Sequence, residues 1–391
     1  MPAWIEQAWS WLPRLLLQAG ALFVVATFLC DAIHFTIHRC LNSRHGWLRR
    51  LARPHLSHHV FLDPRLQYHD EAIVPNLLHH IVPEYAAQMA VCALAFAVLD
   101  RAAVGLVIGC FTMLSGSAMI LRGKDLHHRP LPKVPVAHGT LVVRAPYHAL
   151  HHVFPDNYFS SYTMLFDRLM GTACQIRGRT FALTGASGAF GSALKELLER
   201  HGAMVMPLKY GVDYTDDDGS GADAALAEAD VLVLAHGAKG ERAMQANCHS
   251  FLSLIDRYKA HARPRQVPGE VWAVGSEIEC HPAFGIPELK SYARSKRAYA
   301  RHAARLMQDR EILYRHIVPS AFRSRMGPGL MSGHTAAAIA FWLIRRGFRY
   351  VPVTYTGIAF LNYVPFCFRG LIADLQAPRR SRSVPASPAS G

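Results

Sequence analysis

The chain has 391 residues and a formal net charge of +14, a length that exceeds one ordinary domain and predicts two. Eight cysteines without a C-x-x-C pair exclude a disulfide scaffold and suit a reducing compartment. No pattern of basic residues interleaved with aromatic ones is visible, which argues against a nucleic-acid partner.

Three apolar runs approach the roughly 20 residues that span a bilayer, at about 13–33, 81–99 and 103–121. Only "DRA" separates the last two, which predicts a tight helical hairpin. Several arginines follow the first run, and no cleavable signal peptide is evident. We expect an integral membrane protein with its catalytic domains on the cytoplasmic side. The alternative is that these runs are buried helices of a large soluble protein.

Three histidine clusters accompany these runs: "HFTIH", "HLSHH" and "HALHH". Two of them share the spacing i, i+3, i+4, which places three rings on one side of a helix. A single cluster is weak evidence for a ligand set, but at about 6% histidine the joint occurrence is not expected by chance. The clusters predict a metal site formed by His34, His38, His55, His58, His59, His148, His151 and His152.

The number of histidines narrows the choice of metal. Imidazole suits iron, zinc, copper and nickel, but eight histidines exceed the four positions of one tetrahedral zinc site. The set suits two metal ions with open positions for oxygen or water. Two Fe ions, a di-iron centre, are the preferred prediction.

The three clusters, followed by "NYFSSYTMLFDRLMGT", resemble the fatty acid hydroxylase/sterol desaturase superfamily over roughly residues 20–173. The resemblance implies O₂ activation by a histidine-ligated di-iron centre and hydroxylation or desaturation of a lipid C–H bond. It also implies electrons from an external ferredoxin- or cytochrome-type donor. By this resemblance the eight histidines are metal ligands, and a ninth ligand comes from "DLHHRP". That ligand is either His127 or His128, of which His128 is preferred.

Other polar residues near the clusters receive weaker interpretations. Asp31, Asp125 and Asp167 are candidates for carboxylates that support the metal ligands. For Asp167, a role as a helix cap or as the partner of Arg168 is an equal alternative. The adjacent His79 and His80 are interpreted as an interfacial pair. The surface is the expected place of His45, His69 and His138.

A glycine-rich turn opens the second half of the chain. In "TGASGAFG" the glycines stand three residues apart, between a predicted strand and a predicted helix. The chain can therefore turn tightly and approach a pyrophosphate at a helix N-terminus. The motif predicts a dinucleotide site that includes Thr184, Gly185, Ser187, Gly188 and Gly191.

The end of the next predicted strand bears on the choice of cofactor. Lys209 stands where NAD-binding proteins place an acidic residue on the ribose 2′-hydroxyl, and a cation there matches a 2′-phosphate. NADP(H) is therefore more strongly indicated than NAD(H). Asp213 is near enough in the chain to be the acidic residue that would instead favour NAD(H).

Tyr292 and Lys296 stand four residues apart on the predicted helix "SYARSKRAYARHAARL". A tyrosine pKa near 10 is too high for proton transfer at neutral pH, so we expect the cation one turn away to lower it. Alone, the pair would be interpreted as a helix-surface feature. Together with the glycine motif it predicts a catalytic pair.

Residues 179–330 resemble the short-chain dehydrogenase/reductase family. The resemblance implies that Tyr292 is the acid/base and that Lys296 binds the ribose and supports Tyr292. It further implies that Ser276 steadies the substrate oxygen and that Asn247 completes a proton relay. His236 in "LAHGA" replaces an asparagine that the family commonly has.

The expected fold is multidomain. Residues 1–174 form an all-α membrane helical domain with histidine boxes, and residues 178–330 an α/β Rossmann-like domain with a parallel sheet that ends by residue 330. Residues 331–370 either pack on that domain or dock to the membrane. Residues 371–391 are expected to be a disordered tail.

The whole chain resembles bifunctional sterol desaturase/short-chain dehydrogenase proteins and, more distantly, plant wax-pathway aldehyde decarbonylase proteins. The resemblance implies a lipid substrate that one domain oxygenates and the other oxidises or reduces. Two alternatives stay open: removal of the head carbon of a fatty aldehyde, and an iron oxygenase with a non-catalytic nucleotide-binding regulatory domain. The oligomeric state stays open.

Overall fold

A computed structural model describes residues 3–125, 127–136, 141–215, 218–261, 264–283 and 287–376. His138 and residues 377–391 of the expected tail lie outside these ranges.

The N-terminal part is helical. It contains the helices α1 (Ala3–Leu41), α2 (Gly46–Ala52), α3 (Leu56–Phe61), α4 (Ile73–Asn76), α5 (Val82–Ala95), α6 (Arg101–Ile120), α7 (Ala145–Val153) and α8 (Leu165–Met170). A 3₁₀ turn, Arg53–His55, precedes α3, and a π-helical turn, Leu77–Ile81, precedes α5. We call residues 3–174 the histidine domain.

Within the described ranges, two helices are long and apolar enough to cross a membrane by length and composition, Trp11–Leu41 of α1 and Arg101–Ile120 of α6. Both expose large apolar side chains, such as Leu17 and Ile120. The predicted span at 81–99 is not one of these two helices; α5 has 14 residues and directly continues the π-helical turn Leu77–Ile81. Helices α5 and α6 pack together, and the Asp100 carboxylate caps α6 by accepting from the Ala102 N–H at 2.8 Å.

The second part is a parallel α/β sheet with six strands in the order β2-β1-β3-β4-β5-β8. The strands are β1 (Thr180–Thr184), β2 (Met204–Leu208), β3 (Val231–Leu234), β4 (Gly269–Val274), β5 (Ile312–Pro319) and β8 (Tyr350–Val353), and β6 (Phe322–Arg323) pairs with β7 (Met331–Ser332) apart from the sheet. The chain moves outward from β1 in both directions, which is the topological switch point of a Rossmann-like fold.

Helices cover both faces of this sheet. They are α9 (Ala189–Arg200), α10 (Asp223–Glu228), α11 (Ser250–His261), α12 (Pro287–Leu306), α13 (Gly333–Arg345) and α14 (Ile358–Gln376). Side chains of α9 and α13 share one apolar core with the sheet, and side chains of α11, α12 and α14 share the other. We call residues 178–376 the Rossmann domain.

The prediction that the Rossmann sheet ends by residue 330 is wrong. Strand β8 pairs in parallel with β5 in the register His316↔Tyr350 to Pro319↔Val353. Its four residues are all buried, and α13 buries Ala336, Ala340 and Ile344 against α9 and the sheet. Residues 331–370 were expected either to pack on the Rossmann domain or to dock to the membrane. Helix α13 and strand β8 pack in the core of that domain.

The histidine domain contacts the amino ends of the strands. The Ala173 N–H donates to the Arg345 carbonyl at 2.9 Å, and the Val134 N–H donates to the Gln266 carbonyl at 2.7 Å, just before β4. A cavity of about 250 Å³ between the domains is lined by Tyr147 and Leu150 on one side and by residues at the starts of β4, β5 and β8 on the other. Because all six strands run parallel, their carboxyl ends lie at the opposite edge of the sheet.

Candidate functional site

Helices α1, α3 and α7 bring the predicted histidines together in two sets of four. In each set the ligand nitrogens lie within 4.8 Å of one another, and seven of the eight side chains are buried. The first set is His34, His38, His55 and His59, and the second is His58, His128, His148 and His152. The sets adjoin, since the rings of His59 and His152 have centroids 5.1 Å apart.

The outward ring nitrogens are held by hydrogen bonds. His128 Nδ1 donates to Asp125 Oδ1 at 2.9 Å, His58 Nδ1 to Asn76 Oδ1 at 3.2 Å, and His152 Nδ1 to the Leu62 carbonyl at 2.7 Å. Each bond fixes the tautomer that carries its proton on Nδ1, which leaves the Nε2 lone pair directed inward.

The inward nitrogens converge without ordinary partners. His38 Nε2 lies 3.1 Å from both His55 Nε2 and His59 Nε2, and His148 Nε2 lies 3.1 Å from His128 Nε2. Within the described ranges, other Nε2 atoms are fully buried and lack a hydrogen-bond partner, namely those of His34, His58, His151 and His152. Buried polar atoms are rarely left unpaired, so this arrangement fits a metal ion in each set.

Two further histidines join the sets. The His151 ring lies 4.5 Å from that of His34 and 5.0 Å from that of His59, and its Nδ1 donates to the Asn157 carbonyl at 2.8 Å. The interpretation of His80 as one of an interfacial pair is wrong, because its ring stacks on His58 with a centroid distance of 3.7 Å. His79 remains exposed. His80 lies on the π-helical turn Leu77–Ile81, which the spacing of the three histidine clusters did not predict.

Burial keeps these rings neutral. It lowers the pKa of His55 to about 4 and of His151 to about 3, and it lowers the pKa of His58, His59 and His152 as well. Neutral imidazole is the form that binds a metal ion.

Of the three candidate carboxylates, only Asp125 has a described hydrogen bond to one of these histidines. Asp167 instead accepts from the Tyr147 hydroxyl at 2.7 Å and from the N–H groups of Phe159 and Ser160, and so fixes the loop that carries the Phe159 ring to the histidines. Asp31 accepts from the Ser161 N–H at 3.0 Å. His128, not His127, lies within the second set, and His127 lies beside it at a centroid distance of 6.0 Å from His148.

A cavity of about 110 Å³ opens beside the two sets. Its lining includes four of the histidines, apolar residues of α1 and α5, among them Ile33, and the carboxylates of Glu84 and Asp125. The cavity therefore has room for part of an apolar chain next to the converging nitrogens.

The glycine turn joins β1 to α9 at the carboxyl edge of the sheet. Gly185 has φ +67° and lies so close to β3 that a Cβ would be 2.6 Å from the Ala235 carbonyl carbon. A Cβ on Gly191 would overlap the Gly185 carbonyl oxygen. Ser187 and Gly188 are exposed on the turn. Thr184 is fully buried, and its hydroxyl donates to the Val233 carbonyl at 3.2 Å, so its side chain ties β1 to β3.

Lys209 follows β2 and is exposed. Its backbone N–H donates to Asp213 Oδ2 at 2.6 Å, so Asp213 is engaged in forming this loop. The cation that the NADP(H) prediction requires therefore stands at the carboxyl end of the strand next to the glycine turn.

Tyr292, Lys296 and Ser276 line a cleft of about 600 Å³ at the carboxyl ends of β3, β4 and β5. The Tyr292 hydroxyl is hydrogen-bonded to Ser276, and Lys296 Nζ donates to the Val274 carbonyl at 2.8 Å. The expectation that Lys296 lowers the pKa of Tyr292 is wrong for the chain alone. Burial raises the pKa of Tyr292 to about 12 and lowers that of Lys296 to about 8.

Asn247 lies behind the cleft on a π-helical turn, Gln245–His249, at the start of α11. Its side chain donates to the Ala238 carbonyl at 2.7 Å and to Ser295 Oγ at 3.0 Å, which joins the loop after β3 to the helix of Tyr292. His236 contacts Thr184 Oγ1 at 2.8 Å and Ser250 Oγ at 2.6 Å, and burial lowers its pKa to about 3.

A buried acidic pair beneath the cleft was missed in the sequence. Glu279 Oε1 accepts from His316 Nε2 at 2.7 Å, and Glu279 Oε2 accepts from the Ser276 N–H at 3.3 Å. Glu277 accepts from the hydroxyls of Thr354 and Thr356 at 2.5 Å each. Ser276 and Glu279 form a capping box, which the local pattern S-x-x-E could have shown. The other partners come from β5 and from the loop after β8, so no local pattern identifies them.

Comparison with known proteins gives one curated relative. The monoglucosyldiacylglycerol epimerase of Synechocystis sp. (strain ATCC 27184 / PCC 6803 / Kazusa) is 30% identical over 272 residues, which cover 61% of this chain and 64% of that protein. The chain thus spans less than two thirds of that relative's length. No protein-family model matches the chain.

Solved structures resemble about half of the chain. A short-chain dehydrogenase from Burkholderia cenocepacia J2315 in complex with NADP is 17% identical, with a TM-score of 0.40, over 52% of this chain and all of that one. A short-chain dehydrogenase from Sphingobium yanoikuyae in complex with NADPH is 15% identical, also with a TM-score of 0.40, over 52% of this chain and 99% of that one. At these values the likeness does not define the function of this chain.

Proposed function

We propose that the chain is a membrane-bound oxidoreductase that oxygenates a lipid at a di-iron centre and then oxidises or reduces the oxygenated carbon with a nicotinamide cofactor. The observation that carries the proposal is the pair of buried four-histidine sets, whose inward nitrogens converge while their outward nitrogens are fixed. A set of neutral imidazoles with open positions suits iron that reacts with oxygen.

In the histidine domain, the chain's own residues hold the ions and position the substrate. The two sets and His151 would supply the nitrogen ligands, and Asp125 keeps His128 in the binding tautomer. When bound, a pair of iron ions activates O₂ for insertion into a C–H bond. The reaction consumes one O₂, two protons and two electrons from an external ferredoxin- or cytochrome-type donor, and it gives the alcohol and water.

The apolar wall of the cavity beside α1 and α5 supports a lipid as the substrate. The two apolar helices, with their exposed side chains, support a bilayer as the surroundings. The same features are compatible with hydroxylation, desaturation or removal of a head carbon.

In the Rossmann domain, Tyr292 would exchange a proton with the substrate oxygen, which the Ser276 hydroxyl holds. A nicotinamide cofactor, when bound, exchanges a hydride with the carbon that bears this oxygen. The Gly185–Gly191 turn would receive the pyrophosphate, Lys296 the ribose and Lys209 a 2′-phosphate. In the chain without a bound cofactor, burial raises the pKa of Tyr292 to about 12, so its phenol carries the proton at neutral pH.

The curated relative favours a second candidate, epimerisation of a lipid-linked sugar. Tyr292 would take the proton of the sugar hydroxyl as the hydride leaves and return it as the hydride re-enters from the other face. The cofactor would end in its starting state. Incubation with monoglucosyldiacylglycerol tests this candidate, since an epimer would form without net oxidation of the cofactor.

Lipid mass spectrometry of cells expressing the wild type, His151→Ala and Tyr292→Phe tests the main proposal. We expect His151→Ala to abolish all new product and Tyr292→Phe to accumulate a singly oxidised intermediate. Iron analysis of the purified full chain accompanies it. Wild-type protein without stoichiometric iron, or a His151→Ala profile equal to the wild type, would contradict the oxygenase assignment.

A further inference from the structure

The outward face of α14 is apolar. Its inward face, with Ala359 and Phe366, is buried against α11, α12 and the sheet. At 100° per residue the opposite face carries six large apolar side chains with exposed fractions of 50–78%: Phe360, Leu361, Val364, Phe368, Leu371 and Ile372. A helix on the surface of a soluble protein places charged residues there, whereas Arg369 is the only charged residue in positions 358–372.

Helix α8 of the histidine domain also exposes apolar side chains. Arg168 of α8 lies over the Phe348 ring just before β8, 5.3 Å from its centroid. The Tyr350 ring of β8 lies 5.4 Å from the Tyr363 ring of α14, so α8 and α14 both contact the segment at the start of β8. Leu165 and Leu169 of α8 are exposed, and Phe166 packs against Phe28 of α1 with a ring-centroid distance of 5.4 Å. Exposed apolar side chains thus occur on α14 and on α8, which both contact the segment at the start of β8, and α8 in turn packs on α1. Arg168 and Arg369 on these two helices are groups that suit anionic headgroups.

We propose that α14 lies in the headgroup–acyl boundary of a bilayer and anchors the Rossmann domain to the membrane that α1 and α6 cross. The proposal rests on the membrane location of the histidine domain. A bilayer fits better than a second copy of the chain, because the same chain carries helices long enough to span and the apolar face is accompanied by arginines.

The position of α14 also brings the cleft to the membrane. The Ala359 N–H at the start of α14 donates to Glu277 Oε1 at 3.2 Å, and Glu277 follows Ser276 in the chain. Tyr355 and Thr356, just before α14, line the cleft. A lipid in the outer part of the bilayer therefore reaches the Tyr292 cleft at the first turn of the anchor.

Environment-sensitive labels on single introduced cysteines test this inference in the full chain, reconstituted in vesicles of phosphatidylcholine and phosphatidylglycerol. The α14 labels are placed by Leu361→Cys and Phe368→Cys. Leu29→Cys on α1 serves as the membrane control, and Val212→Cys, on an exposed apolar residue of the Rossmann domain, serves as the water control. Labelling of the native cysteines is subtracted with the unsubstituted chain.

We expect nitroxide-labelled lipid to quench the α14 labels as strongly as the α1 label, and iodide to quench only the label at position 212. Iodide quenching of the α14 labels, with lipid quenching at position 29, would overturn the anchor and leave the membrane location standing. Energy transfer between α14 labels on different copies, without lipid quenching, would assign the face to self-association and also overturn the proposal. Iodide quenching at position 29 would instead reject the membrane location itself.

Discussion

At the level of single residues, the histidine sets depend on which ring nitrogen faces inward. Asp125, Asn76 and the Leu62 carbonyl each accept a hydrogen bond from an Nδ1–H group, so each commits a histidine to bind through Nε2. Neutral rings do not compensate the positive charge of bound metal ions. Asp125 supplies a carboxylate next to the ligand set.

Asp125→Asn should weaken metal binding by roughly 10–100-fold, because the amide no longer offers His128 an anionic acceptor. Metal content of the purified full chain, measured at graded chelator concentrations, reports the change. Asp70→Asn removes an exposed carboxylate paired with Lys124 in the same domain and should leave the metal content unchanged. If both variants retained the same amount of metal at each chelator concentration, Asp125 would not support a ligand.

Cofactor binding should weaken as pH rises through about 8. Burial lowers the pKa of Lys296 to about 8, so the ammonium that would bind the ribose loses its proton there rather than above 10. Above that pH the Kd for NADPH should rise by up to about tenfold for each unit. Fluorescence titration with NADPH, repeated between about pH 6.5 and about pH 9.5, measures this Kd. Lys296→Met should bind weakly with a flat profile, and a flat wild-type profile would contradict the role.

Lys209→Ala should raise the Kd for NADPH and leave that for NADH nearly unchanged, because only NADPH carries the 2′-phosphate. The two cofactors are titrated side by side. Lys195→Ala, which removes an exposed lysine paired with Glu199 on α9, is the matched control. Equal loss for both cofactors would assign Lys209 a structural role.

At the level of elements, the glycine turn is the most constrained segment of the Rossmann domain. Gly185 needs its positive φ, and Gly191 needs to lack a side chain because it packs on the Gly185 carbonyl. The turn, β1 and α9 follow one another in the chain, so their geometry is a local property.

Gly191→Ala should destabilise the Rossmann domain by about 1–3 kcal/mol and abolish NADPH binding, because the new methyl group forces the turn apart. Ser192→Ala alters the next residue, which is exposed, and should bind normally. Thermal unfolding and cofactor titration distinguish the two. A Gly191→Ala variant with normal affinity would show that the turn is not the cofactor site.

At the level of the whole molecule, the two sites lie at opposite edges of one sheet. The histidine domain contacts the amino ends of β4, β5 and β8, whereas the Tyr292 cleft lies at the carboxyl ends. A strand of five or six residues separates these edges by about 17–20 Å. In the proposed reaction sequence, a lipid intermediate would therefore have to leave one site before it reached the other.

Two single-site variants should complement each other within one membrane. His151→Ala and Tyr292→Phe, reconstituted together in the same vesicles with substrate, electron donor and NADP(H), should form the final product, because the intermediate diffuses through the shared bilayer. The same variants in separate vesicles that are then mixed should not. Lipid mass spectrometry measures the final product. If no final product formed in the shared vesicles, the intermediate would pass directly between the two sites of one chain.

Local sequence patterns were enough to predict which histidines share a helix face, where the glycine turn stands, and the four-residue step from Tyr292 to Lys296. These depend on helical and strand periodicity, which neighbouring residues set. Four further features became visible only in the folded chain: His80 joins the histidines, β8 extends the sheet, burial dominates the pKa of Tyr292, and the Tyr292 cleft lies at the edge of the sheet opposite the histidine domain. Each of these depends on packing between segments far apart in the chain, and no local spacing encodes it.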